Sequence, residues 1–335
     1  MSSNSTTRRR VFITGCSSGI GRALALEFAT RGHEVMATAR SLDSIKDLES
    51  ICRIACVDVT APATLTTALN AFGPPVDIAI ANAGASAYLP LLDQDLAQVE
   101  AIMKTNLLGV IATAQAVTPA MMDRRQGLLI VIGSVSGRMT TPFAGAYCAS
   151  KAAVSCVCEA LHMELAPFEV NVMQVVTGAV QSALSQNSMR DGKSRLPDKS
   201  RYSKLQPFVD ARASLSQTSG AQETSRYAKI VADAALAKRP PSRLVAGGNA
   251  HFFDLMGRFA PSWFTSVVWQ TRLGLDLLQK SDASPSFVGT AVTRLFGRNP
   301  LFFELSTLVV AVASILLELT RGFLAVVGRI MGFKC

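Results

Sequence analysis

Tyr147 and Lys151 stand four residues apart in Tyr147-Cys148-Ala149-Ser150-Lys151, so a helix through them carries a phenol and an ammonium on one face. Such a pair can move a proton. A tyrosine hydroxyl titrates near pH ~10 and is a poor acid or base at neutrality. A lysine cation about 4 Å away, at an effective dielectric of ~20, favours the phenolate by roughly 4 kcal/mol. At ~1.4 kcal/mol per pH unit, that brings the hydroxyl from ~10 towards ~7, where general acid-base catalysis works best. The same spacing also arises on ordinary helices, as a half-buried ring and a solvated amine. The pair gains meaning from the elements around it.

Val11-Phe12-Ile13-Thr14 is an apolar run that breaks into Gly15-Cys16-Ser17-Ser18-Gly19-Ile20-Gly21, and a helical stretch follows from Ala23 to Ala29. Strand, glycine turn and helix bring backbone amides and a helix N-terminus up to a pyrophosphate. A tight connection would read the same way, and the spacing is Gly-x-x-x-Gly-x-Gly rather than the commoner dinucleotide fingerprint. A second strand, Glu34 to Ala39, ends at Arg40, where a site for NAD would carry an acidic residue for the ribose hydroxyls. Ala39 and Arg40 instead favour a 2'-phosphate and hence NADP(H) over NAD(H). Further strands are expected at Arg53 to Val57, closing at Asp58; at Asp77 to Ala81, running into Asn82-Ala83-Gly84; at Leu128 to Ile132, running into Ser134; and at Val170 to Val176, running into Thr177-Gly178. A helix from about Leu96 to Ala116 contains Asn106, a residue unfavourable inside helices and so expected to serve something other than helix formation. The alternation of strands and helices predicts an α/β fold, a doubly wound parallel sheet in a single Rossmann-type domain, with ligands at the carboxyl ends of the strands.

Thr14-Gly15-x-x-x-Gly19-x-Gly21, Asn82-Ala83-Gly84, Asn106, Ser134 and Tyr147-x-x-x-Lys151, in this order, resemble the short-chain dehydrogenase/reductase superfamily over residues 8 to about 250. The resemblance implies an oxidoreductase acting on CH-OH or C=O groups. It implies four catalytic residues: Ser134 binding the substrate carbonyl oxygen, Tyr147 transferring the proton, Lys151 lowering the tyrosine pKa and holding the nicotinamide ribose, and Asn106 anchoring a relay water. It also implies a cofactor site made of Thr14, Gly15, Ser17, Ser18, Gly19, Ile20, Gly21, Arg40, Asp58, Asn82, Ala83, Gly84, Tyr147, Lys151, Thr177 and Val180, with Asp58 against the adenine. Thr177-Gly178 departs from the family's usual Pro-Gly. Homo-oligomers are common in the family. Within it, Ala37-Thr38-Ala39-Arg40, Val176-Thr177-Gly178-Ala179-Val180 and Pro261-Ser262-Trp263-Phe264 resemble the fungal NADPH-dependent acyldihydroxyacetone-phosphate reductases. That implies reduction of a ketone on a lipophilic substrate. The same group also serves natural-product tailoring as ketoreductases or alcohol dehydrogenases, and a membrane-tethered nucleotide-binding scaffold is the non-enzymatic alternative.

The chain has 335 residues, 49% of them hydrophobic, a net charge of +9 and a mean hydropathy of +0.29, high for a soluble enzyme. Its basic residues are not interleaved with aromatics as in nucleic-acid binders, so an anionic lipid or a phosphorylated small molecule is the expected anionic partner and nucleic acid is not. Seven cysteines lack a second pair at zinc spacing, so no metal site is expected. Cys52, Cys56, Cys156 and Cys158 read as small buried apolar residues in a reducing compartment. Residues 1–10 are expected to form a disordered basic N-terminus without an apolar signal core, 11–250 the catalytic domain, and 251–335 a hydrophobic helical membrane-associating extension. Residues 179–226 form a substrate loop in which Arg190, Lys193, Arg195, Lys199, Arg201 and Lys204 suit an anionic head group or simply solvate a mobile segment. Trp263, Phe264, Val267, Val268 and Trp269 suit a membrane interface or packing on the main domain. Leu305 to Leu317 carries no charge, and extension to Val327 reaches spanning length. Spanning, in-plane attachment and a buried dimer helix all stay open. A cytosolic catalytic domain with a basic tail favours monotopic or hairpin attachment, with residues 252–275 as the other arm, on the cytosolic face of an intracellular membrane such as the endoplasmic reticulum or a lipid droplet.

Overall fold

A computed structural model of the chain describes residues 8–182, 192, 194–217 and 220–278. The chain divides between Asp254 and Leu255 into two compact units. In the first, strands β1 (Arg10–Ile13), β2 (Glu34–Ala39), β3 (Arg53–Cys56), β4 (Ile78–Ala81), β5 (Gly127–Ile132), β6 (Val170–Thr177) and β7 (Arg243–Ala246) form one sheet in the order β3-β2-β1-β4-β5-β6-β7. Every pairing is parallel. Helices α1 (Gly19–Thr30), α2 (Pro62–Phe72), α3 (Leu96–Met103), α4 (Gly109–Arg124), α5 (Gly145–Leu165), α6 (Gln206–Ser214) and α7 (Thr224–Ala235) complete the unit. This is the doubly wound parallel fold expected from the strand and helix alternation, with one strand more.

The period-two geometry of the strands sorts side chains onto two cores. Val11 and Ile13 of β1 pack with Leu24 and Phe28 of α1 and Tyr227 and Val231 of α7. Phe12, between them in sequence, packs on the other face with Leu65, Phe72, Val110, Val117 and Val154 of α2, α4 and α5. Because both faces are covered, the central strands are near-continuous apolar runs: every residue of β4 is buried, as is all of β5 after its first residue. The strand order reverses between β1 and β4, so the crevice at their carboxyl ends is where such a sheet binds its ligand.

The seventh strand, Arg243–Ala246, went unrecognised in the sequence because it is four residues long, opens on arginine after Pro240-Pro241, and pairs on one side only, with β6. The helix expected to end near Ala116 runs on to Arg124 through Pro119. Its path is interrupted by a π-helical turn at Lys104–Leu108, which carries Asn106. Cys52 and Cys158 are buried as expected, but Cys56 and Cys156 are exposed, lying on the edge strand β3 and the outer face of α5. In the substrate segment Arg195, Lys199, Arg201 and Lys204 are exposed, while Arg190 and Lys193 lie outside the described residues.

α8 (Ala250–Phe259) crosses the unit boundary, and α9 (Ser262–Arg272) lies in the second unit. Within α9, Trp263 and Phe264 meet edge to face at 5.9 Å and the Arg272 guanidinium lies 5.5 Å from the Trp269 ring. Among the described residues no helix is long and apolar enough to cross a membrane. The candidate span at 305–327 lies outside them.

Candidate active site

The turn between β1 and α1 is held open by glycine and by Asn82. Gly15 has φ +76°, in the left-handed region, and a Cβ there would stand 2.8 Å from Ala83 Cα. Asn82 Nδ2 donates to the carbonyls of Thr14 at 2.9 Å and Gly15 at 3.0 Å. The Thr14 hydroxyl accepts from the amides of Asn82 and Ala83 at 3.0 and 3.2 Å. The glycine turn after β1 and the Asn82-Ala83-Gly84 turn after β4 are thereby one rigid piece. Ser17, Ser18, Gly19 and Ile20 lead into α1, and no side chain caps its N-terminus. Cys16 fills the space beneath; burial pushes its thiol up to about 12 and makes it an inert apolar packing residue.

Asn106 is completely buried. Its Oδ1 accepts from the Ala85 amide at 2.7 Å, and its Nδ2 donates to the Ala85 carbonyl and to the Ser150 hydroxyl, each at 2.9 Å. Both donors of its amide are thus spent on clamping the β4 turn to α5. Ser150 passes the link on by donating to the Tyr147 carbonyl at 2.7 Å.

Ser134 stands just past β5, its hydroxyl accepting from the Ser136 amide at 3.1 Å. Tyr147 lies in the first turn of α5, and Ser134 is near enough to its hydroxyl to favour the ionised form. Lys151 sits on the buried stripe of the same helix with Cys148, Val154 and Cys158, and its Nζ donates to the Ile132 carbonyl at 2.9 Å. The lysine lies 6.0 Å from the centre of the tyrosine ring. Burial pushes the Tyr147 hydroxyl up, opposed by Ser134 and Arg212. Burial likewise pushes Lys151 down to about 8.

That depressed value carries a stability consequence. Between about 8 and the ordinary 10.5, the unfolded chain holds a proton on Lys151 that the folded chain has lost. Below that window the buried charge destabilises the fold in full, and the penalty fades as pH rises through it. At neutral pH it amounts to about 3 kcal/mol, of which about 1 is offset by the bond to Ile132. Lys151→Met should therefore melt higher than the native chain at pH 7 while losing turnover, and thermal melts from pH 7 to 10.5 should show the gap closing. A variant that is less stable at pH 7 would contradict it.

Two further predicted residues lie away from this cluster. Arg40 is exposed just beyond β2, and Asp58 follows β3. Asp58 Oδ1 accepts from the Thr60 amide at 2.9 Å and its hydroxyl at 2.8 Å, which holds the carboxyl below its usual range. Asp58 thus also shapes the turn into α2. At the other end of the crevice, Thr177 shares a 2.7 Å hydrogen bond with the Tyr227 hydroxyl, and Val180 is buried. Tyr227, Tyr88, Thr141 and Arg212 were not anticipated from sequence. The one available signal was Arg212, at the spacing of Leu205 and Val209 on the apolar face of its helix.

A parallel sheet whose switch point carries a glycine turn, with a serine, a tyrosine and a lysine gathered at the next strand ends, defines a dinucleotide-dependent oxidoreductase. The chain belongs to the short-chain dehydrogenase family, whose sequence model matches residues 9–193. A short-chain dehydrogenase of Penicillium crustosum is 35% identical over 231 residues, covering 67% of this chain and 83% of its own. The NADPH-dependent 1-acyldihydroxyacetone phosphate reductase of Saccharomyces cerevisiae is 27% identical over 285 residues, covering 81% of this chain and 93% of its own. A solved short-chain dehydrogenase from Streptomyces avermitilis has the same fold, with a TM-score of 0.66 at 23% identity over 81% of this chain and 99% of its own. The chain is accordingly a dehydrogenase or reductase that works with a nicotinamide cofactor on a small-molecule substrate.

Proposed function

We propose that this chain is an NADPH-dependent ketone reductase acting on a lipophilic substrate. The observation that carries the reading is the gathering of Asn106, Ser150 and Tyr147, linked by hydrogen bonds, with Ser134 and Lys151 at the carboxyl ends of β4 and β5. The turn fits the pyrophosphate: the glycine positions leave no room for side chains between it and Asn82, and the α1 amides have no side-chain cap. Thr14 to Gly21, Asn82 to Gly84, Thr177 and Val180 would hold the cofactor, which when bound supplies the hydride. Ser134 and Tyr147 orient the substrate oxygen by hydrogen bonds, and Tyr147 gives it the proton.

The exposed Arg40, standing where an acidic residue would serve NAD, supports NADPH, as does the cofactor in the yeast reductase's name. A charge-assisted contact of about 2 kcal/mol corresponds to about 30-fold in affinity. Arg40→Ala should weaken NADPH binding by about that factor and leave NADH binding within twofold, as read by nucleotide fluorescence titration. Equal effects on both would refute the assignment. The hydrophobic composition supports work at a membrane or lipid surface on its cytosolic side, for which co-flotation of the full chain with phospholipid vesicles is the test.

The deciding experiment is NADPH oxidation by the detergent-solubilised chain with acyldihydroxyacetone phosphate, a long-chain neutral ketone, a steroid ketone and an aromatic polyketide-like ketone. Turnover of the lipid ketones supports the reading. Turnover of the aromatic ketone alone would move the chain to natural-product tailoring. No turnover with any, in either direction, would leave a nucleotide-binding scaffold.

A further inference from the structure

Arg212 is a buried arginine with no partner carboxylate among the described residues. It lies on α6 with 6% of its surface exposed, on the same buried face as Leu205 and Val209. Its Nε donates to the Thr141 hydroxyl at 2.6 Å, and its guanidinium carbon stands 5.3 Å from the centre of the Tyr88 ring. Tyr88 is itself tied to the segment before α6, its amide donating to the Ser194 hydroxyl at 3.3 Å. Three stretches thus fix the guanidinium: the turn after β4, the loop between β5 and α5, and α6. Among the described residues no carboxylate pairs with it.

A guanidinium has five N–H donors in a planar fork, and here one is used by Thr141. Taking such a cation out of water without a counter-charge is costly, and a ring face returns only part of the loss. The four donors on its Nη atoms match the two oxygens of a carboxylate or phosphate. The location decides what that oxyanion belongs to. Thr141 belongs to the loop that joins Ser134 to Tyr147, and Tyr88 to the segment that follows Asn82-Ala83-Gly84, so the fork is anchored on the two loops that carry the site.

We infer that Arg212 is a substrate-recognition residue whose Nη groups bind an oxyanion, phosphate or carboxylate, carried a few bonds from the ketone that Tyr147 protonates. The inference rests on the ketone-reductase reading of the site and narrows its substrate to anionic ketones. The surface cations Arg195, Lys199, Arg201 and Lys204 would then contribute attraction at a distance, and the buried fork would contribute selection. Tyr88 and Thr141 are positioning residues that hold the fork.

The test is equilibrium binding of hexyl phosphate, hexanoate and hexanol to the full NADPH-loaded chain in non-ionic detergent, for the native protein, Arg212→Met and Arg212→Lys. The native chain should prefer one or both anions over hexanol by about 30-fold, as a charge-assisted fork requires. Arg212→Met should bind all three alike. Arg212→Lys, which keeps the charge without the fork, should retain a reduced preference. The better anion identifies phosphate or carboxylate. Native binding without anion preference would overturn the inference. So would equal weakening of all three ligands in Arg212→Met, which marks a purely structural arginine. Because the readout is binding, an Arg212-dependent preference without turnover of any ketone would sink the reductase reading alone. Ketone turnover without that preference would sink only the role of Arg212.

Discussion

Replacing Tyr147 by phenylalanine is expected to lower kcat for ketone reduction by about 10³-fold while leaving NADPH affinity within a few-fold. The substitution removes one oxygen and keeps the ring, so packing in the first turn of α5 survives. What disappears is the proton donor beside Ser134. A general acid contributes roughly 10² to 10⁴ in rate, and no second acid among the described residues is placed to take over, since Lys151 is turned towards the Ile132 carbonyl. Ser134→Ala should act on the same step and be less than additive with Tyr147→Phe, because both hydroxyls act on one substrate oxygen. Stopped-flow hydride transfer and a nucleotide-binding titration on the single and double variants check both statements. Undiminished turnover in Tyr147→Phe would remove the catalytic reading, and a matching loss of NADPH binding would recast Tyr147 as a cofactor contact.

The parts of this site that could be read from sequence are those fixed by local geometry. A strand, a glycine turn and a helix occupy about 20 consecutive residues, and Tyr147 and Lys151 share one helix, so spacing alone brings each set together. Their long-range relations were less legible. Asn106 stood out as a polar residue in an apolar helix, but its partners Ala85 and Ser150 are 21 and 44 residues away, and the π-helical turn that presents it has no sequence mark. The contact of Lys151 with the Ile132 carbonyl was hidden for a related reason: residues four apart share a face, yet a lysine stem is long enough to reach a carbonyl in β5. Arg212 was hidden among many basic residues because charge runs read as solvated surface. Its placement at the apolar period of α6 becomes decisive only when burial is known. The strand β7 failed for want of length and alternation, and tertiary pairing with β6 supplied what propensity did not.

Gly21→Ala is expected to be the most damaging single methyl addition in the cofactor turn, for a steric rather than a dihedral reason. Gly21 is an ordinary helical residue of α1, but a Cβ there would stand 2.3 Å from both the Gly15 carbonyl oxygen and Asn82 Nδ2. The oxygen belongs to backbone already constrained at φ +76°, so it cannot move without unwinding the turn. The amide can move only by surrendering its bonds to Thr14 and Gly15, which tie β1 to β4. Two hydrogen bonds at about 1 kcal/mol each, plus overpacking of about 1–3 kcal/mol, give a loss of about 3–5 kcal/mol. NADPH affinity should fall at least about 100-fold, because the amides that face the pyrophosphate move with the turn. Gly32→Asn provides the control: Gly32 has φ +83° with nothing within 4 Å of a Cβ, and asparagine tolerates that conformation, so stability and affinity should hardly change. Asn82→Ala should lose the same two bonds, and the Gly21→Ala, Asn82→Ala pair should cost less than the sum. Thermal melts and NADPH titrations of the four variants decide the matter. Strict additivity would show that the methyl acts through Gly15 alone, and a stable Gly21→Ala chain with native affinity would mean that the turn does not hold the cofactor.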